Sequence, residues 1–458
     1  MIGSSSSSGN LLKNSGFETD LAFWQSYNVT TTDSNAAEGT QAARLAQGVA
    51  SLYQDVPLGS RIGKPLFLSF IVYAQAVRPG DLIVEVLWLD ANGAIIGTGL
   101  RAFLPSASIS NVRNTFFDVT DRPPLNAFAV RLKFSKNASD IPLLLDLVNL
   151  VPVETKNLLR NPSFESGLNG WNSVNFNSQF SIIWEGATAL QISSFPGFIS
   201  QEIDLNPFRI GEAYLLSAAF APLGLRAATI TVRLVFIHVL GNPIGDPGID
   251  ITILPATLTG QGKYLNFVQL SRPAPIGAVK ARLEILADEI PGGFVELDQV
   301  ILLRLASPNL IRNSEFDNGH DYWTGTDFGV TSGGYVGQYS AFLDASGGLM
   351  SQVVALPPCS LGRNFLFNFA LHYGDTGNTN GHVIAQVNWL DAKGNEIGLA
   401  LRLIVLQTVQ PTPQWQVYTG ITEAAPIGAA SAIIQFTKSE GETDSEIGLD
   451  SVIFARID

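Results

Sequence analysis

A single cysteine, Cys359, in 458 residues excludes an intrachain disulfide. It follows Pro357-Pro358 with no histidine or acid placed around it, so it reads as a small apolar residue and not as a nucleophile. Charge is scarce too: 15% of residues are charged, against ~25% in soluble proteins, while 46% are hydrophobic. Such a chain either covers its surface with neutral polar groups or buries part of it against other subunits. Lys and Arg form no cluster and the formal net charge is −13, which argues against nucleic acid and anionic membranes as partners. No apolar run approaches the ~20 residues needed to cross a bilayer, so no membrane insertion is expected. Residues 1–9, Met-Ile-Gly followed by five Ser and Gly, lack the basic and apolar regions of a secretory signal. They read as a polar arm, flexible or ordered on a partner.

Catalytic signatures are missing as well. There is no Gly-x-Ser-x-Gly elbow, no His-Glu-x-x-His and no phosphate loop. His238, His320, His372 and His382 fall at unrelated positions of the repeat described below. His372 and His382 bracket a loop that contains Asp375, but two strand-end histidines so spaced are a weak metal pattern. The acid pairs Asp288/Glu289 and Glu440/Glu442 lie in polar loops beside Pro or Gly, without the cleft a glycosidase dyad needs. The chain reads as a non-enzyme.

What is present is one segment used three times. Asn10-Leu-Leu-Lys-Asn-Ser-Gly-Phe-Glu, running on to Trp24, recurs from Asn157 to Trp171 and from Asn309 to Trp323. After each Trp come a Gly (Gly39, Gly186, Gly337), a Gln (Gln54, Gln201, Gln352), a second Gly (Gly63, Gly211, Gly362) and a closing-strand Asp (Asp146, Asp298, Asp450). Three domains follow, at 10–153, 157–305 and 309–458, a length that suits ~150 residues per core. Linkers of about six residues containing Pro (Val151–Lys156, Leu303–Pro308) imply a fairly rigid array of three beads.

Within each unit the pattern alternates with period 2, and no segment sustains a helical period. Short strands punctuated by Gly, Pro and Asn indicate an all-β fold of three tandem antiparallel β-sandwiches of jelly-roll type. Asp90-Ala-Asn-Gly93 and Asp391-Ala-Lys-Gly394 read as hairpin turns. Leu66, Leu68, Phe70 and Val72 face the first core, and Phe67 lies on the opposite face. Leu215 and Leu366 repeat that placement in the other two units, which makes Phe67, Leu215 and Leu366 candidate interface positions. Trp88, Phe236 and Trp389 alternate in phase with apolar residues, so they are core, as are Trp24, Trp171 and Trp323.

The combination Asn-Leu-Leu-x-Asn-x-x-Phe-Glu…Trp, then Gly, then Gln, then a closing Leu-Asp-x-Val resembles the galactose-binding-like jelly rolls found among carbohydrate-binding modules of the family 4, 9 and 22 type. It is equally similar to the related domains repeated in Gram-positive spore-surface proteins. The resemblance spans the whole chain and implies the fold. It also implies a structural calcium between the opening segment and the last strand, on Glu18 with Asp146, Glu165 with Asp298, and Asp317 with Asp450. The alternative is that each acid caps a turn or accepts backbone N–H bonds. A sugar reading needs aromatic faces, and those left outside the framework are Trp184, Phe195 and Phe198 in the second unit and Tyr335, Tyr339, Tyr373 and Trp415 in the third.

Two non-catalytic readings remain. In the first, the protein is a structural subunit of an extracellular or spore-surface assembly, a fibre, layer or appendage, whose partners are copies of itself. The second is a tandem carbohydrate-binding protein that attaches to glycans or cell-wall polysaccharide.

Overall fold

In the computed structural model the described residues are 9–59, 63–179, 182–192, 196–205, 211–224, 229–258, 262–288, 293–373, 381–406, 414–441 and 445–457. The Ser-rich part of the arm, Phe195, Asp375, Glu289 and Glu442 lie outside them. Among the described residues all named elements are strands, thirty in total, and they divide into three sets of ten.

The first set comprises β1 (Gln25–Tyr27), β2 (Val29–Thr32), β3 (Ala42–Leu45), β4 (Ala50–Pro57), β5 (Leu66–Ala74), β6 (Leu82–Leu89), β7 (Ile95–Leu104), β8 (Asn114–Val119), β9 (Ala129–Lys136) and β10 (Leu143–Pro152). These pair into two five-stranded antiparallel sheets, ordered β1-β4-β9-β6-β7 and β2-β3-β10-β5-β8, and the two later sets repeat the same order. Trp88, Phe236 and Trp389 are buried, as the alternation predicts. The Asp90 turn closes β6 onto β7, with Asp90 Oδ1 accepting the N–H groups of Asn92 and Ala94 at 2.9 Å each.

The repeated opening segment is a backbone device. Asn14, Asn161 and Asn313 take φ of 52°, 49° and 51°, a left-handed conformation that Asn tolerates better than most residues. Each then accepts the indole N–H of its own repeat's Trp on its carbonyl at 3.1–3.2 Å. The following Phe17, Phe164 and Phe316 are fully buried against those indoles.

Every residue of β5 is buried, on both faces. The second face is covered by the other two domains, because the chain closes into a ring with approximate threefold symmetry. Phe67, Val151 and Val153 of the first domain meet Leu215, Leu303 and Leu305 of the second and Leu366 and Ile457 of the third. About 10 Å³ is left between them, barely room for one water, so the axis is a plug and not a channel. Further along the axis the inner edge strands β8, β18 (Leu265–Leu270) and β28 (Trp415–Ile421) meet. There Thr115 Oγ1 donates to the Val417 carbonyl at 2.6 Å, and the Asn266 amide donates to the Thr115 carbonyl.

Two expectations are corrected here. The domains form a closed ring and not an array of beads. Phe67, Leu215 and Leu366, each 2% exposed, join domains of one chain and are not available to join copies of it. The short linkers permit this arrangement, and the scarcity of surface charge follows from surface already spent inside the ring.

Replacing Leu215 by Asp places a charge in a dry plug and should open the ring while leaving the sandwiches folded. The expected result is a larger hydrodynamic radius by size exclusion with unchanged β-sheet circular dichroism. Leu215→Ala should cost about 2–5 kcal/mol by creating a cavity, measured by denaturant unfolding.

Candidate functional site

The seams of the ring contain the acids that the family resemblance assigns to calcium. In the first domain Asp146 accepts the N–H groups of Ala37 (2.8 Å), Glu38 (2.9 Å) and Leu147 (2.7 Å). Glu18 accepts those of Thr40 and Gln41 at 2.8–3.0 Å and the Thr40 hydroxyl at 2.7 Å. The second domain repeats this: Asp298 takes Trp184, Glu185 and Gln299 N–H, and Glu165 takes Ala187 and Thr188 N–H. In the third, Asp450 takes Tyr335, Val336 and Ser451 N–H. Gly39 and Gly186 are required where they stand. Their φ values are +64° and +78°, and a Cβ on either would lie 2.4 Å from the Glu18 or Glu165 carboxylate.

The donor set does not fit calcium. A Ca²⁺ ion takes 6–8 oxygens, whereas the carboxylates of Glu18, Asp146, Glu165, Asp298 and Asp450 are turned towards N–H groups, whose positive ends repel a cation. Among the described residues no group of three or more His, Cys, Asp or Glu could hold a metal ion; the loop between His372 and His382, with Asp375, lies outside them.

The aromatic candidates fall into two classes. Trp184 is fully buried and packs on Tyr264 of its own domain and Phe116 of the first. Tyr335, at the matching position, stacks on Phe267 of the second domain at 4.7 Å and donates its hydroxyl to the Asn266 carbonyl. Tyr373 is buried and hydrogen-bonded to Tyr418. These three are plugs that lock domains or cores together, so none offers a ring face to a ligand. Tyr339 is 41% exposed at the start of β23 (Tyr339–Leu343). Phe198 is half-buried opposite the exposed Val174.

Trp415 is different. It is buried, but it lines a groove of about 390 Å³ on the non-core face of the third domain's β28-containing sheet, where that sheet meets the second domain. Thr331 and Ser332 come from β22 (Phe328–Ser332), and Ser340 and Phe342 from β23. His372 comes from β25 (Phe365–Tyr373), Glu446 and Gly448 from the edge and start of β30 (Ile447–Arg456), and Thr257 from the second domain. The His372 and Trp415 rings lie 5.3 Å apart between centroids. Thr257 Oγ1 fixes the groove's rim by donating to the Gly334 carbonyl at 3.0 Å.

The groove exists because of a glycine. By register on the strand that pairs with β23, Gly448 corresponds to Leu144 and Glu296 in the other domains, and both of those side chains are buried. A Cβ on Gly448 would stand 3.2 Å from the His372 Cβ and 3.3 Å from the Trp415 ring. Phe342 likewise replaces Arg44 and Gln191, and Gln191 in the second domain donates to Glu296. Sequence reasoning reached Trp415 but missed Phe342, His372 as a groove residue, Glu446 and Gly448. The signal available was departure from the repeat: a Gly and a Phe where the other two copies carry different side chains.

Two other surfaces compete poorly for a sugar. A larger cleft of about 620 Å³ between the second and third domains is lined by Asp246, Arg272, Asn309, Glu315 and Asp317, with no aromatic ring. On the outer face of the first domain's other sheet, Tyr53 has its ring covered by the Arg131 guanidinium at 4.4 Å, and Arg131 is held by Asp55 at 2.6 Å.

Burial also sets the pH response. Desolvation raises Glu38 and Glu185 from 4.5 to about 7, and Glu315 similarly. The folded chain therefore holds protons that the unfolded chain has released above about pH 4.5. Stability from these groups is intact below that pH, falls between 4.5 and 7, and is fully diminished above 7. The melting temperature should drop by several degrees between pH 5 and pH 8, at roughly 2–4 °C per kcal/mol. Glu38→Gln/Glu185→Gln should flatten that slope, and an equally steep slope in the double variant would refute the assignment.

No family model matches the sequence, and no curated protein matches it. Solved structures do resemble the fold. The tandem CBM22-1–CBM22-2 domain of Paenibacillus barcinonensis Xyn10C is 14% identical over 66% of this chain and 98% of its own, with a TM-score of 0.27. A family 16 carbohydrate-binding module is 24% identical over 31% of this chain and 99% of its own, TM-score 0.25. TmCBM61 in complex with β-1,4-galactotriose is 18% identical over 33% of this chain and 99% of its own, TM-score 0.25. These are likenesses of fold alone.

Proposed function

We propose that this is a non-catalytic glycan-binding protein, acting at an extracellular or cell surface, whose binding site is the groove of the third domain. The observation that carries the reading is the groove's chemistry: Phe342 and the edge of Trp415 offer apolar surface, and Thr331, Ser332, Ser340, His372 and Glu446 offer hydroxyl, imidazole and carboxylate partners. Sugars present both kinds of surface, C–H faces and hydroxyl edges, and a pocket of this size holds a short oligosaccharide segment. The site belongs to one domain only. This accounts for the lack of a recurring aromatic platform, because all three repeats build the ring and only the third carries the ligand surface.

The assembly reading keeps one specific observation in its favour. Leu125, Ile276 and Ile427 follow Pro124, Pro275 and Pro426 at equivalent turns, and they are 96%, 75% and 87% exposed. A threefold set of bare aliphatic tips suits self-association or a surface partner. One of its supports, the apolar Phe67, Leu215 and Leu366, is buried between domains of the same chain.

A glycan array and calorimetric titration of the full chain test the main reading. Binding to a neutral oligosaccharide is expected, weakened about tenfold or more by Phe342→Ala or His372→Ala, equivalent to ~1.4 kcal/mol, with the melting temperature nearly unchanged. Absence of binding across neutral glycans, or binding indifferent to both substitutions, would contradict it. Leu125→Ser/Ile276→Ser/Ile427→Ser should leave glycan binding intact, whereas any self-association seen by analytical ultracentrifugation should disappear.

A further inference from the structure

The three calcium-like seats share a geometry that extends beyond their own domains. Each seat ends in a glycine whose N–H leaves the domain and binds a carbonyl on the outer edge strand of the neighbour. Gly39 N–H donates to the Ile404 carbonyl at 2.7 Å, on β27 (Glu396–Val405) of the third domain. Gly186 N–H donates to the Phe103 carbonyl at 2.8 Å on β7 of the first. Gly337 N–H donates to the Thr252 carbonyl at 2.8 Å on β17 (Ile249–Ile253) of the second. Register places Phe103, Thr252 and Ile404 at the same position of the edge strand, opposite Ile83, Thr231 and Ile384.

The return bond comes from an acid. Ile404 N–H donates to Glu38 Oε1 at 2.9 Å, and Phe103 N–H donates to Glu185 Oε1 at 3.2 Å. In the third domain the residue at that place is Val336, and the acid comes from the opening segment instead. There Glu315 replaces Gly16 and Ser163, and it is hydrogen-bonded to Gln269 of the second domain. A Cβ on Gly16 would stand 3.2 Å from the Glu38 carboxylate, so both sequence positions open onto the same space. One carboxylate is kept at each seam although its position in the sequence has moved. That is the behaviour of a group needed at the seam.

We infer that these seats are metal-free clasps that close the ring, built on the positions where related jelly rolls would hold calcium. Asp146, Asp298 and Asp450, joined in the first two domains by Glu18 and Glu165, gather the N–H groups of the loop and so aim the Gly39-type N–H outward. Glu38 and Glu185 then complete a two-bond bridge onto an edge strand that would otherwise be open. A cation entering the seat would have to displace those N–H donors, so calcium binding and ring closure oppose each other.

The test uses the full chain, with calcium as the probe. Chelator treatment and addition of millimolar calcium should both leave the melting temperature unchanged, and elemental analysis should find no stoichiometric calcium. Glu38→Ala/Glu185→Ala should lower the melting temperature and enlarge the particle in solution scattering, while each sandwich keeps its β-sheet circular dichroism. Glu38→Gln/Glu185→Gln, which keeps the acceptor oxygen, should retain the compact particle. Calcium bound at one or more ions per chain, with a melting temperature that falls on chelation, would overturn the inference. So would an alanine double variant as compact and as stable as the parent.

Discussion

The outer edge strand of each sandwich cannot be left open, and the ring exists because each edge is closed by the next domain. Phe103, Thr252 and Ile404 present backbone groups that would otherwise template pairing with another molecule. Three glycine N–H groups satisfy the carbonyls of all three, and the buried acids Glu38 and Glu185 accept the N–H groups of Ile404 and Phe103. The contact is heterologous, head of one domain to edge of the next, and such contacts generate either a closed ring or an open filament. Here the rotation closes after three repeats, and the short linkers and the apolar plug on the axis are consistent with closure.

From that closure the distribution of residues follows. Residues that recur in all three copies either build the fold or make the ring. Asn14 and its equivalents supply a left-handed turn, Phe17 and Trp24 fill the core, and Phe67, Leu215 and Leu366 fill the axis. Trp184 and Tyr335 are the plugs of two seams. At the matching place in the first domain stands Ala37, and the space beyond it is filled by the hydroxyl-bearing pair Tyr373 and Tyr418 together with Tyr73, whose ring carries the Arg113 guanidinium at 4.7 Å. On the proposed reading, function is left to residues that break the repeat, as Gly448 and Phe342 do together in one groove.

The fold was legible in the sequence because alternation, turn residues and a threefold repeat are local signals. The alternation located Trp88, Phe236 and Trp389 in the core, and Asp90-Ala-Asn-Gly93 in a hairpin. The ring was not legible, although its traces were present. An apolar residue on the second face of a central strand says that the face is covered, but periodicity carries no information on whether the cover is another molecule or the same chain. Two aromatic candidates failed for the same reason: Trp184 and Tyr335 lie outside any strand's core-facing phase, yet a neighbouring domain buries them, whereas Tyr373 continues the core face of Phe365, Phe367, Phe369 and Leu371. The groove depended on an absence, the missing side chain at Gly448, which becomes visible only when strand register aligns it with Leu144 and Glu296.

Small-angle X-ray scattering of the unmodified chain tests the closed ring most directly. A compact ring of 458 residues should give a radius of gyration of about 23–26 Å with one globular maximum in the distance distribution. A radius above roughly 32 Å with a shoulder at one inter-domain spacing would indicate three beads in a row and contradict the account.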